Sequence, residues 1–414
     1  MILKGFKYRI YPKPAQRELM EQHFGACRQV YNMGLEIKVA AYRAGVKTPS
    51  AFELCKQLPE LKEENVWMKA LDSQALQAAV KKVDVSYKNF FKGACFPKFQ
   101  NKHGRQSYQC PHEVKRIDWE KQTLTIPKIK DIPIVLSRKF EGKIKTITIS
   151  REPSGKYYAS ILVETVSERK SKPPVTPETS VGIDLGVKHL VTLSTGEKID
   201  NPRFLQHSGD RLRVLQQRLG KKKKGSSNYK KAKYKVVLCH EKVRNQRKDY
   251  LHKISFRLVR ESQAIMMEDL NVKGMSSRVK PKKAVQGGYA PNGQAAKSGL
   301  NKSIRDAGMS MLVTMIEYKA DWYGTTIIKI PRFAPSSKLC SNCKTKNVNL
   351  KLSDRDWVCE VCGATHDRDE NAAVNIKKIG YEQYCKNNSG KPLPEEPVEM
   401  SALAGSVKQE IPLY

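Results

Sequence analysis

Residues 2–11, Ile-Leu-Lys-Gly-Phe-Lys-Tyr-Arg-Ile-Tyr, alternate apolar and basic side chains, which predicts a β-strand with one charged face. Pro12 and Pro14 end it. From Ala15 the period changes to three and four: Met20, Phe24, Cys27, Tyr31 and Leu35 fall on one side of an amphipathic helix. A second long helix is expected over residues 66–91, with Leu76, Ala79, Val83, Tyr87 and Phe90 on one face. Residues 96–106 are irregular and basic, with aromatic residues interleaved, a mixture that can stack on bases while binding phosphates. Residues 123–129, 132–137, 143–150 and 157–165, rich in Ile, Thr, Val and Tyr, read as strands. The Pro-bearing stretch 168–178 reads as a linker.

The second half repeats one theme, an apolar strand that carries an acid. The stretch from Ser180 reads as an apolar strand with Asp184 in its middle, Gly186 suits a turn, and residues 189–194 return as a second strand. A carboxylate in a buried strand is costly unless a cation or donors pair with it. Asp184 therefore sits either at a metal or at a wet sheet edge. Ala264-Ile-Met-Met267 follows the same logic and ends in Glu268. Between them, residues 211–260 hold 18 Lys or Arg against only Glu241 and Asp249. They read as two helices joined by a Lys-rich loop at 221–224, with Val243, Tyr250, Leu251, Ile254 and Leu258 giving the second its buried face. The opposite face is one-sided enough to read as a phosphate track. Residues 276–300 lack periodicity and read as a mobile basic loop. Residues 301–323 read as a helix, 325–331 as a strand, and order is expected to fade after Ile379.

Cys340-x-x-Cys343 and Cys359-x-x-Cys362 have the spacing of a four-thiolate zinc site made of two facing knuckles, and Gly363 suits the tight turn of the second. Two disulfides or reduced thiols are the alternatives. The next stretch, His366-Asp367-Arg-Asp369-Glu-Asn-Ala-Ala, puts acids at the start of a helical pattern, where they either cap the helix or bind a metal. His366 beside them suits a packing role or an assisting one.

The 414 residues suffice for two to four domains, and 76 Lys and Arg against 41 acids leave a net charge of +35. Such an excess opposes compaction unless a polyanion neutralises it, so nucleic acid is the expected partner. No apolar run reaches the length of a membrane span, and the N-terminus lacks a signal core. A reducing cytoplasm follows as the expectation. Cys27, Cys55, Cys95, Cys110, Cys239 and Cys385, which show no regular spacing, read as plain thiols.

Phe6-Lys-Tyr-Arg-Ile-Tyr-Pro12, Gly25-Ala-Cys-Arg-Gln-Val-Tyr-Asn32, Gly182-Ile-Asp184-Leu-Gly186, Met267-Glu268-Asp-Leu270, the four cysteines and Asp367-Arg-Asp369-Glu-Asn-Ala-Ala373 come in one order. In that order they resemble the TnpB family of bacterial transposons, RNA-guided DNA nucleases related to type V CRISPR effectors. The resemblance implies a multidomain α+β and α/β chain. Residues 1–11 and 96–167 would form a wedge-type β-barrel, with a helical recognition domain at 12–95 and the linker at 168–178. An RNase H-like, RuvC-type nuclease domain would span 179–335 and 364–380. It would carry a zinc-binding insertion at 336–363 and a flexible tail at 381–414. The resemblance also implies Asp184, Glu268 and Asp369 as catalytic acids, binding a pair of Mg²⁺ ions. It implies Cys340, Cys343, Cys359 and Cys362 as ligands of a structural zinc. A guide RNA derived from the transposon end and target double-stranded DNA would be the partners, in a nucleoid-associated protein of a bacterium or archaeon. A repressor that binds without cutting and a transposase or resolvase acting without RNA are the competing functions. The presence of all three acids weighs against the first, and the size of the basic first half against a bare resolvase.

Overall fold

In the computed structural model of the protein, residues 2–111, 116–165, 170–283, 288–351 and 353–388 are described. The chain divides into two units, Met1–Glu168 and Arg169–Tyr414. The first opens with β1 (Ile2–Ile10), then α1 (Pro14–Arg43), α2 (Ala51–Lys56), α3 (Leu58–Glu64), a 3₁₀ turn (Val66–Ala70) and α4 (Ser73–Phe91). It closes with β2 (Gln106–Cys110), β3 (Arg116–Asp118), β4 (Thr123–Ile126), β5 (Ile129–Val135), β6 (Lys143–Arg151) and β7 (Tyr157–Thr165). The strands form one antiparallel sheet in the order β2-β6-β7-β1-β5-β4-β3. Among the described residues no pairing joins β2 to β3, so the sheet is open rather than a closed barrel. Tyr8, Ile147, Ile149, Ala159 and Ile161 on its inner face share one apolar cluster with Met20, Phe24 and Val30 of α1 and Leu76 and Val80 of α4.

The helix expected over 66–91 is interrupted. Leu71 is extended, and Asp72 caps a fresh helix by accepting a hydrogen bond from the Gln74 amide. Strands β2 and β3 lie where no strand was expected, because Gln106-Ser-Tyr-Gln-Cys110 is too polar to stand out. Only Tyr108 and Cys110 there offer apolar bulk to the core.

The second unit is built on β8 (Ser180–Asp184), β9 (His189–Leu193), β10 (Lys198–Asp200), α5 (Phe204–His207), α6 (Gly209–Gly220), α7 (Ser227–Glu261), β11 (Ala264–Glu268) and α8 (Val272–Met275). There follow β12 (Lys282–Lys283), β13 (Tyr289–Ala290), α9 (Gln294–Ala307), α10 (Met309–Tyr323), β14 (Thr326–Ile330), β15 (Asp356–Val358), β16 (Thr365–Asp367) and α11 (Arg368–Asn388). Its main sheet runs β10-β9-β8-β11-β14, antiparallel as far as β8 and parallel beyond it. Alternate residues of β11 face opposite ways: Ile265 and Met267 join the cluster with α7, α9 and α10, while Ala264 and Met266 meet Ile376 of α11.

Three expectations change here. Asp184 is the last residue of its strand, not its middle. The helix expected at 301–323 is two helices, beginning at Gln294 inside the expected loop and broken where Gly308 takes φ +71°, a value a residue with a side chain rarely adopts. The last helix runs on to Asn388, because Ile379, Tyr381 and Tyr384 continue its apolar stripe. The remainder of the expected tail, 389–414, and residues 284–287 of the expected loop lie outside the described residues.

Candidate active site and thiolate cluster

Strands β8 and β11 run parallel with Met267 opposite Ile183, so their last residues, Glu268 and Asp184, fall side by side at one end of the sheet. Both stand on the face covered by α11, since Gly182 and Met266, each two residues back, meet that helix. The approach is close enough to require glycine: a Cβ on Gly182 would lie 2.2 Å from the Ala373 carbonyl oxygen. This close crossing sets the start of α11, and with it Asp369, over the strand ends. Burial, then the nearby charges of Glu268 and Asp369, push the Asp184 carboxyl up to about 7. Glu268 and Asp369 thus lie near enough to Asp184 for their charges to act on it, while among the described residues the four cysteines alone have their ligand atoms, as a group, within 4.8 Å of one another.

Their supports come from distant parts of the chain. The Ser336 hydroxyl donates to Glu268 Oε1 at 2.5 Å. An Arg355 guanidinium nitrogen lies 3.4 Å from Asp369 Oδ1. Asp367 takes the capping role: its Oδ1 accepts from the amides of Asp369 and Glu370, each at 3.0 Å. Lys198 of β10 reaches across to Asp367 and Glu370, both at 2.8 Å. Burial works against the Asp367 carboxylate, but the Lys198 ammonium and the two amides hold it below the ordinary range. Asp367 is therefore occupied by helix and lysine. Sequence reasoning missed Ser336, Lys198 and Arg355, and the Pro-Ser-Ser run before Cys340 is the one local hint.

The four cysteines also converge. Their sulfurs all lie within 4.8 Å of one another, with Cys340 to Cys362 at 3.6 Å and Cys343 to Cys359 at 3.5 Å. A tetrahedral site with Zn–S bonds of about 2.3 Å has sulfurs about 3.8 Å apart, so the donor set and its size fit zinc. The two knuckles share one hydrogen-bond pattern. Cys340 N donates to Thr345 O and Lys344 N to Cys340 O; Cys359 N donates to Ala364 O and Gly363 N to Cys359 O. The turn residues Lys344 and Gly363 have φ +62° and +70°. His366 belongs to this cluster: it is buried, its Nε2 is 3.0 Å from Cys340 Sγ, and its ring packs on Trp357. None of the other six cysteines is in a disulfide.

Two asparagines one turn apart on α11 tie the cluster to the sheet. Asn371 donates to Leu339 O and accepts from Ser341 N; Asn375 donates to the carbonyls of Ser336 and Leu339. The basic helices α6 and α7 line a groove of about 760 Å³ that mixes Val214, Leu215 and Leu238 with Arg211, Arg218 and Lys242. Among the described residues no helix is long and apolar enough to cross a membrane.

The chain is similar to known proteins over nearly its whole length. A family profile described as "Probable transposase" matches residues 160–279, and one described as "Cas12f1-like, TNB domain" matches residues 310–376. A profile described as "Helix-turn-helix domain" matches residues 1–47, which here are one strand and one long helix. A Streptomyces pristinaespiralis protein named "Putative RNA-guided DNA endonuclease" is 36% identical over 418 residues, covering 99% of this chain and 96% of that protein. An Escherichia coli K12 protein, "Putative RNA-guided DNA endonuclease InsQ", is 34% identical over 407 residues, covering 96% and 98%. Among solved structures, one called "Cryo-EM structure of the Cas12f1-sgRNA-target DNA complex" covers 91% of this chain and 98% of its own at 14% identity and a TM-score of 0.47.

Proposed function

The chain belongs to the TnpB family, and from that premise we propose that it is an RNA-guided DNA endonuclease that cuts guide-matched DNA beside a short flanking motif. The observation that carries the reading is the meeting of Asp184, Glu268 and Asp369 at one end of the parallel strands, where burial and like charge raise the Asp184 carboxyl to about 7. Three crowded carboxylates repel one another unless cations lie among them, and hard oxygen donors suit Mg²⁺. Bound there, Mg²⁺ supplies the positive charge needed by the attacking and leaving oxygens of phosphodiester hydrolysis. Asp184 and Glu268 hold their carboxylates on rigid strand ends, and Asp369 closes the group from the helix above.

In this reading the Arg169–Tyr414 unit contains the RNase H-like, RuvC-type nuclease domain, residues 179–335 and 364–380, an assignment supported by its five-stranded sheet β10-β9-β8-β11-β14 with acids at the ends of β8 and β11. Residues 336–363 form the zinc-binding insertion, held by Cys340, Cys343, Cys359 and Cys362. Residues 1–11 and 96–167 form the wedge-type sheet, and 12–95 the helical recognition part. Guide pairing supplies the sequence choice, and the basic surfaces hold the heteroduplex by backbone and shape.

The test is cleavage of a plasmid carrying the guide-matched target, with Mg²⁺ and a parallel gel-shift assay. Asp184→Ala, Glu268→Ala and Asp369→Ala each reduce cutting to background and leave RNA and DNA binding in place. Asp367→Ala has a smaller effect, because its bonds are to the helix start and Lys198. Cutting at the normal rate by all three principal variants overturns the assignment.

A further inference from the structure

Ser336, four residues before Cys340, bonds one of the candidate catalytic acids, and we propose that it is a positioning residue that fixes Glu268 for metal binding. The proposal rests on the reading of Glu268 as a metal-binding acid. Ser336 is 5% exposed, so its hydroxyl answers to protein partners rather than to bulk water. Its Oγ donates to Glu268 Oε1 at 2.5 Å, across 68 residues of sequence. The bond takes one lone pair of Oε1 and restricts rotation of the group, leaving Oε2 open toward a metal.

The serine is itself held on both sides. Its carbonyl accepts from Asn375 of α11 at 2.8 Å, and its amide donates to Ala334 O at 2.8 Å. Asn375 and Asn371 also grip Leu339 O, at 2.6 Å and 2.8 Å, immediately before Cys340. The same helix carries Asp369 in its first turn. One helix therefore sets Asp369 directly and Glu268 through Ser336, while anchoring the first knuckle. A glutamate has three side-chain torsions to order, so a fixed donor on one oxygen pre-forms the ligand geometry that would otherwise be selected at the moment of metal binding.

The experiment uses the full chain with its zinc in place. Mn²⁺ binding to the RNA-free protein is followed by electron paramagnetic resonance, and Mg²⁺ dependence of target cleavage is measured in the guide complex. Ser336→Ala is expected to weaken Mn²⁺ binding about 10- to 100-fold, the usual effect of removing a partner behind a metal ligand. It should raise the Mg²⁺ concentration for half-maximal cleavage in step and leave target-DNA affinity unchanged. Ser336→Thr, which keeps the hydroxyl, should restore both. Zinc content and thermal melting report whether each variant is folded. Glu268→Gln separates the two levels of argument. If it binds Mn²⁺ and cuts like the parent, the reading of Glu268 fails. If it is dead while Ser336→Ala binds Mn²⁺ and responds to Mg²⁺ like the parent, the positioning role of Ser336 is overturned.

Discussion

At the scale of single residues, Asp184 makes the site sensitive to pH. An ordinary carboxyl titrates near about 3.9, and this one is raised to about 7 in the folded, metal-free chain. Between those values the folded state holds a proton that the unfolded state has released. The contribution of Asp184 to stability is therefore full at the acid end and is lost as pH rises through 7. In thermal melts without added Mg²⁺, the parent should lose stability from pH 5 to pH 8 relative to Asp184→Asn. Mg²⁺ should raise the melting temperature of the parent more at pH 8 than at pH 6, and that of Asp184→Asn at neither. Asp184 and Glu268 are legible in the sequence because each is a charge set against an apolar run, although the sequence alone put Asp184 in the middle of its strand and not at the end. Ser336 and Lys198 are not, because their partners are 68 and 169 residues away and nothing local marks them.

At the scale of elements, α11 decides whether a site exists. It crosses β8 at Gly182 and β11 at Gly380, where an added Cβ would lie 2.4 Å from the Met266 side chain. At Gly380 the obstacles are Cγ and Cβ of the buried Met266, at 2.4 and 2.8 Å, close to the strand backbone; at Gly182 they are the helix backbone itself, with Ala373 O at 2.2 Å and Lys377 N at 2.7 Å. Gly182→Ala should push α11 outward, cost about 1–3 kcal/mol, the usual range for overpacking, and reduce cleavage strongly. Gly380→Ala should act in the same direction, since neither obstacle is the free end of a side chain. Differential scanning calorimetry and plasmid cutting on the pair would check it, and variants that melt and cut like the parent would overturn it. Most elements are readable from periodicity. The break at Gly308 is not, because Ile304 and Met315 keep a helical stripe across it; the start of α4 is not, because the cap at Asp72 lies inside an apolar pattern.

At the scale of the whole molecule, the charge of +35 implies that binding is dominated by phosphate neutralisation. Reversing several of the arginines of α6 and lysines of α7 to glutamate should weaken guide RNA binding. It should also flatten the dependence of log affinity on log salt by about 0.7–0.9 for each phosphate no longer neutralised. An unchanged slope in filter binding over a salt series would mean that these helices face water alone. The order of elements along the chain has a consequence in time. Strand β8 is made early in the second unit, while Asp369 and the asparagines that anchor the first knuckle come on the last helix described. During synthesis the strands that carry Asp184 and Glu268 emerge while their third partner is still missing. The nascent chain can expose its basic surfaces to RNA before it has a complete set of acids, so capture of the guide can precede the ability to cut.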